Sequence, residues 1–234
     1  MTTDFVMPVY NEGRNVKAAI DGLYAALPSP KRVLVVYDFE EDDTVPVVRE
    51  LQQRFTGLEL IRNRHGRGVV NAIRTGIEDA NGDVVIITMA DLSDDTSIIP
   101  EMVRRIQAGE ADIVCPSRYM KGGHQFGGPF VKRTLSRLAG LSLRFAGFPV
   151  HDATNAFRAY RRTLLQSLTI ESEGGFAYSL ELTAKAHAAG WKVVEIPSTW
   201  RDRSAGESRF RLMKWLPQYL KWYWFALTNR PRHK

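Results

Sequence analysis

Three carboxylate-bearing segments follow directly on apolar runs and could hold a charged ligand: Tyr10-Asn11-Glu12, Asp38–Asp43 and Asp91–Asp95. Asp38 ends its run, where a carboxylate can point into a crevice and accept hydrogen bonds from a nucleotide base. Glu40, Glu41, Asp42 and Asp43 read as a solvated acidic loop. Asp91 is the residue placed to bind Mg²⁺ or Mn²⁺. Such hard cations take oxygen ligands and keep several waters while bridging substrate phosphates, so one or two protein carboxylates suffice. Asp94 and Asp95 suit an N-cap of the helix that follows. Further along, Arg118, Lys121, Lys132, Arg133, Arg137 and Arg144 form a basic block suited to phosphate, and Arg203, Ser208 and Arg209 form a second.

Other chemistries find no support. Gly66-Arg67-Gly68 lacks the third glycine of a dinucleotide fingerprint, Asn71 standing in its place, and no P-loop pattern is present. Those glycines read as a tight loop near a ligand, or as a turn. The five histidines have no metal-ligand spacing, and the single cysteine, Cys115, reads as a core residue. No G-x-S-x-G elbow occurs.

The elements that position these residues alternate. Phe5–Val9, Val33–Tyr37, Leu58–Ile61, Val84–Met89 and Ile113–Cys115 are short apolar runs that predict buried strands. Asn15–Leu27, Thr44–Phe55, Val69–Ala80 and Ile98–Ala108 predict helices between them. The order is that of an α/β fold, a mostly parallel sheet with helices on both faces, whose ligands bind beyond the carboxyl ends of the strands. That rule puts the three acidic segments along one rim. A glycine-rich loop, Lys121–Pro129, precedes a basic helix at Phe130–Ala146. A helix at Phe176–Ala189 and a strand at Val193–Ser198 follow. Near the end, Leu216, Tyr219, Leu220, Tyr223, Trp224 and Leu227 form an apolar helical stripe, widened by Trp222 and Phe225. Pro217 is expected to start or kink that helix. The stripe fits either a membrane interface or packing against the rest of the chain or a second copy.

The 234 residues carry a net charge of +6, unevenly spread. Residues 1–116 are net −7, 117–165 net +8, 166–199 net −2 and 200–234 net +7. An acidic first half and the lack of a recognised binding motif argue against a nucleic-acid partner. One cysteine permits no intrachain disulfide and suggests a reducing compartment. The first residues do not read as a signal peptide, and no apolar stretch reaches the roughly 20 residues of a membrane-spanning helix.

Together these segments resemble the inverting family 2 glycosyltransferases of GT-A fold, and within them the dolichyl- and polyprenyl-phosphate hexosyltransferases such as the dolichyl-phosphate mannose synthases. The likeness runs from about Phe5 to Phe210. Pro8-Val-Tyr-Asn-Glu12 is similar to the family's opening nucleotide-binding motif, and Val35–Thr44 resembles its second. Ala90-Asp-Leu-Ser93 falls on the metal motif, while Pro116–Gly123 and Asp202–Ser208 resemble acceptor-side loops. Met89 and Tyr37 each stand where the family has an aspartate.

The resemblance implies a catalytic domain at 1–209, with a donor half at 1–116 and an acceptor half at 117–209, and an amphipathic tail at 210–234. It implies a GDP- or UDP-sugar bound by Pro8, Tyr10, Glu12, Asp38 and Asp91, and a divalent metal on Asp91 and Ser93. A polyprenyl phosphate would be held by Arg118, Lys132, Arg133, Ser136 and Arg203, with Asp91, Arg118 and Arg203 catalytic. It implies a peripheral position on the cytoplasmic membrane face, through the C-terminal helix or a membrane-protein partner. A hydroxyl acceptor would need a base, for which Asp152 and Glu181 are the candidates. Met89 and Tyr37 leave open a weakened, nucleotide-sugar-binding homologue.

Overall fold

The structure, a computed structural model, describes residues 1–28, 31–202, 212–229 and 231. Strands and helices alternate through the first half: β1 (Thr3–Pro8), α1 (Val16–Ala26), β2 (Lys31–Tyr37), α2 (Thr44–Leu51), β3 (Leu58–Arg62), α3 (Val69–Asp79), β4 (Val84–Ile87), α4 (Ile99–Gln107) and β5 (Ile113–Ser117). There follow β6 (His124–Phe126), α5 (Phe130–Phe145), β7 (Arg158–Arg161), α6 (Arg162–Ser167), α7 (Ala177–Ala188), β8 (Val193–Pro197), β9 (Thr199–Arg201) and α8 (Leu212–Thr228).

Seven strands form one sheet in the order β3-β2-β1-β4-β7-β5-β8, and β6 pairs with β9 in a separate parallel ribbon. Within the large sheet only β7 runs antiparallel to its neighbours, β4 and β5. Sequence patterning misses β7 because Arg158 breaks its apolar run. Arg158 is fully buried between β7 and α7. Its guanidinium donates to the carbonyl oxygens of Asn155 at 2.9 Å, Ser179 at 2.8 Å and Asp152 at 3.0 Å, and to the Thr183 hydroxyl. A buried cation with its donors satisfied in this way can be tolerated in a core.

Alternation along the strands divides the core in two. Phe5, Met7, Val33, Val35, Val84 and Ile86 pack with α1, α2 and α4. Val6, Leu34, Val36, Val85 and Ile87 face α3, α6 and α7. The strands are therefore apolar on both faces, as burial under two helical layers requires. Helix α3 comes close enough to β1 that a Cβ on Gly76 would overlap Val6 Cγ1.

Much of the aromatic stripe of α8 turns inward. Trp222 is buried and donates from Nε1 to Ser172 Oγ at 2.9 Å, while Tyr219, Tyr223, Phe225 and Leu227 lie against the second core cluster. Trp215 covers Gly174 and Gly175, leaving no room for a Cβ on Gly174. Pro217 lies inside this helix, not at its start.

Gly76→Ala is expected to destabilise the fold by about 1–3 kcal/mol through overpacking. A lower urea midpoint with an unchanged slope checks this.

Candidate active site

The chain crosses from β1 to β2 to β3 on one side and resumes at β4 on the other. The loops after β1, β2 and β4 therefore open onto one crevice. In the loop after β1, Asn11 adopts φ 52°. Its N–H donates to Asp42 Oδ2 at 3.0 Å, Glu12 N to Thr44 Oγ1 at 2.9 Å, and Gly13 N to Asp43 Oδ1 at 2.8 Å. Asp42 is only 1% exposed, so the expectation of a solvated loop fails for it. Its carboxylate takes backbone N–H groups that the sharp turn leaves without partners.

Pro8 is buried as the last residue of β1, and Tyr10 is exposed at the rim. Glu12 accepts from Asn15 Nδ2 at 2.9 Å at the start of α1. Asp38 holds the glycine loop: its oxygens accept from Asn63 Nδ2 at 2.7 Å and Gly68 N at 2.9 Å. Phe39, which the sequence reading passed over, lies edge-on to Tyr10 and under the Arg67 guanidinium. Tyr37 donates its hydroxyl to Glu40 at 2.9 Å; burial, then that contact, raises its pKa.

After β4 the chain turns at Leu92, a non-glycine residue at φ 61°. Asp91 Oδ1 accepts from Ser93 N at 3.1 Å. Ser93 Oγ is buried and has no hydrogen-bond partner among the described residues. Asp95 does cap the following turn, accepting from Ser97 N at 3.0 Å. Asp94 does not make such a cap; it lines the main cavity beside Asp91 and Met89. Burial, and next the neighbouring Asp91, push the Asp94 carboxyl up to about 8. No cluster of three or more His, Cys, Asp or Glu suited to a metal occurs among the described residues. The oxygen donors of Asp91 and Ser93 nonetheless fit a hard divalent cation completed by water and a diphosphate, whereas the Met89 thioether contributes nothing to it.

That cavity has a volume of about 890 Å³ and brings the two halves of the chain together. Asp91, Asp94, Arg118, Lys132, Arg133 and Ser136 all border it. Much of the remaining wall is apolar, including Leu135, Leu138 and Leu143 of α5 and Leu216 and Leu220 of α8. Arg118 is fixed by Asp152, donating from Nε at 2.6 Å and Nη2 at 2.9 Å to its two oxygens, and from its backbone N at 3.1 Å. Burial opposes the Arg118 charge, but Asp152 outweighs it and holds the pKa above its ordinary value. Ser136 Oγ and Thr154 Oγ1 are 2.5 Å apart, and Arg118 Nη2 donates to the same Thr154 hydroxyl at 3.1 Å. Arg203 lies outside the described residues, as do Ser208 and Arg209.

Neither candidate base is available. Asp152 is fully buried; burial works against its ionisation, but Arg118 prevails and holds its carboxyl below the usual range. Glu181 is also fully buried and accepts from Ser172 N at 2.8 Å and Lys185 Nζ at 2.7 Å.

Residues 4–169 match glycosyl transferase family 2, and the chain belongs to that family. It is 30% identical over 233 residues to a dolichol-phosphate mannosyltransferase of Pyrococcus furiosus, covering 92% of this chain and 64% of the relative's length. It is 30% identical over 211 residues to a polyprenol monophosphomannose synthase of Mycolicibacterium smegmatis, covering 87% of this chain and 79% of the relative. Its fold matches glucosyl-3-phosphoglycerate synthase of Mycobacterium tuberculosis, solved with Mn²⁺, UDP and glucosyl-3-phosphoglycerate. The TM-score is 0.71 at 17% identity, over 99% of this chain and 81% of that one. The mostly parallel sheet with helices on both faces is thus the GT-A fold.

Asp152→Asn removes the partner of a buried guanidinium and is expected to cost about 3–5 kcal/mol. Because the Asp152 pKa is depressed in the folded state, its contribution is complete above the ordinary carboxylate pKa and is lost as pH falls through the folded value. Urea titrations of both proteins from neutral to acid pH should therefore converge at low pH.

Proposed function

We propose that the chain transfers a hexose from a GDP- or UDP-sugar to a polyprenyl phosphate, with inversion at the anomeric carbon. The observation that carries this reading is the cavity itself. Carboxylates of the donor side and cations of the acceptor side border one space whose wall is otherwise rich in leucine. An amphiphile with a phosphate head and a hydrocarbon tail matches those walls. The names of the two relatives support the same acceptor class.

In this reading residues 1–116 bind the donor, residues 117–209 bind the acceptor, and residues 210–234 form the tail. The nucleotide lies along the rim at Pro8, Tyr10, Glu12 and Asp38, with its diphosphate toward Asp91. Asp91 and Ser93 would hold Mg²⁺ or Mn²⁺, which supplies compensation for the charge of the departing diphosphate. Arg118, Lys132, Arg133, Ser136 and Arg203 hold the acceptor phosphate. One of its oxygens attacks the anomeric carbon opposite the nucleotide, and the bond to the diphosphate breaks. The phosphate is already anionic near neutral pH, so no general base is needed, in keeping with the engagement of Asp152 and Glu181. Catalysis rests on positioning and on charge stabilisation.

A polyprenyl phosphate acceptor supports a peripheral position on the cytoplasmic membrane face. No helix among the described residues is long and apolar enough to cross a membrane.

The test is incubation with radiolabelled nucleotide sugars, polyprenyl phosphate and Mg²⁺ or Mn²⁺. Lipid-extractable label is the expected outcome; donor binding without transfer would overturn the reading. Lys132→Ala and Arg133→Ala should each raise the KM for polyprenyl phosphate roughly tenfold, with little change in the KM for donor. Met89→Asp adds a hard ligand beside Asp91 and should tighten Mn²⁺ binding about tenfold, read by titration calorimetry.

A further inference from the structure

Most acids around the crevice already have partners. Asp38, Asp42 and Asp43 accept from backbone N–H groups, Asp95 from Ser97 N, Asp152 from Arg118, and Asp202 from Gly128 N at 3.2 Å. Asp94 differs. It lines the main cavity, and its carboxyl group makes no hydrogen bond among the described residues. The backbone fixes its place. Asp94 forms an antiparallel bridge with Trp200 of β9, and the neighbouring Ser93 O accepts from Arg201 N at 3.0 Å. Trp200 borders the same cavity, its ring 5.9 Å from the Arg118 guanidinium. The Asp94 carboxyl lies within electrostatic reach of both Asp91 and Arg118. One unengaged polar group thus stands near both the diphosphate position and the acceptor-phosphate position of the proposed reaction.

Chemistry narrows what could meet it. A hydrocarbon chain laid on Asp94 would take a polar group out of water with nothing in return. A second divalent cation there would be repelled by the Arg118 guanidinium. A neutral hexose meets neither objection. Its hydroxyls both donate and accept, so they pair with a carboxyl group in either protonation state, and the two carboxyl oxygens can receive two adjacent ring hydroxyls. An indole such as that of Trp200 offers an apolar face to the C–H side of a sugar and keeps its polar edge for other partners. A donor whose diphosphate lies at Asp91 and whose anomeric carbon is open to a phosphate at Arg118 carries its hexose between them, into the space that Asp94 borders.

We propose that Asp94, with Trp200 as the apolar wall, binds ring hydroxyls of the donor hexose and so determines which sugar is accepted. The inference rests on the proposed function, which is what brings a hexose to this place. Asp94 is then a specificity residue and not a metal ligand, and the bridge to Trp200 holds the two parts of the subsite together.

Titration calorimetry on the full chain with Mn²⁺ tests it, using GDP-mannose or UDP-glucose, whichever binds more tightly, and the matching nucleoside diphosphate. Asp94→Leu should weaken the nucleotide sugar roughly tenfold to hundredfold, as expected for lost hydrogen bonds to a carboxyl group, and leave the nucleoside diphosphate within about twofold. Equal weakening of both ligands would make Asp94 a metal or diphosphate ligand and overturn the proposal, as would no weakening of either. Donors lacking one ring hydroxyl each give a second readout. The wild type should bind at least one of them less tightly than the parent, and Asp94→Leu should bind that analogue and the parent about equally, because the partner of the missing hydroxyl is gone. The same discrimination in wild type and variant overturns the proposal. Should Asp94→Leu fail to fold, the nearly isosteric Asp94→Asn takes its place: it must alter the pattern of rejected analogues, and an unchanged pattern overturns the proposal. Binding of neither GDP-mannose nor UDP-glucose overturns both readings. Transfer to polyprenyl phosphate with unaltered discrimination sinks the hexose subsite alone, and altered discrimination without transfer sinks the proposed function alone.

Discussion

One wall of the cavity hangs on one ion pair, Arg118 with the fully buried Asp152. Taking both charges out of water is costly, and the pair is tolerable only because nearly every polar atom around it has a partner. Asp152 receives three donors from Arg118. Its own N–H donates to Glu195 of β8, and its carbonyl accepts from the buried Arg158 of β7. Glu195 also accepts from His151 N at 2.7 Å, while Asn155 Nδ2 donates to Pro116 O. Strands β5, β7 and β8 are thereby tied to the segment that faces α5. The guanidinium that results is anchored, lies 4.9 Å from the Tyr119 ring and 5.9 Å from the Trp200 ring, and borders the cavity. The phosphate contact proposed for Arg118 would gain from such anchoring, since little rotamer freedom remains to be lost on binding.

The acids of the opposite wall divide into those that build the crevice and those that face it. Asp42, Asp43 and Asp38 are bound to backbone N–H groups and hold the loops after β1, β2 and β3 in register. Asp91 and Asp94 stand at the cavity. The two walls are also joined directly: Arg201 N donates to Ser93 O at 3.0 Å, and Asp94 bridges to Trp200. The loop that carries Asp91 is therefore hydrogen-bonded to the β6–β9 ribbon. A movement of either has a physical route to the other.

Residues 1–116 were legible because β1, β2 and β4 are apolar runs followed closely by acids, and because parallel strands must present their carboxyl ends together. The second half was less so. β7 carries an arginine at each end of its two apolar residues, and β6 and β9 are three residues each, too short to show a period. Asp94 and Asp95 are the same residue type side by side, so cap and cavity could not be told apart by spacing. One signal was present for Asp152: a lone acid among nine cations is a candidate for a buried partner.

By itself the sequence determined the alternation of strands and helices, the rim on which Tyr10, Asp38 and Asp91 stand, and the segregation of an acidic first half from a basic middle block. These follow from local periodicity and composition, which are properties of neighbours along the chain. Only the tertiary structure decided that Asp42 and Asp152 are scaffold, that Asp94 faces the cavity, and that α8 turns much of its aromatic stripe inward while α5 leaves Leu135, Leu138 and Leu141 exposed. Each of those outcomes depends on which partner, dozens of residues away, reaches a group first. A buried carboxylate and a solvated one, or a covered leucine and an exposed one, have the same letter until the chain has packed.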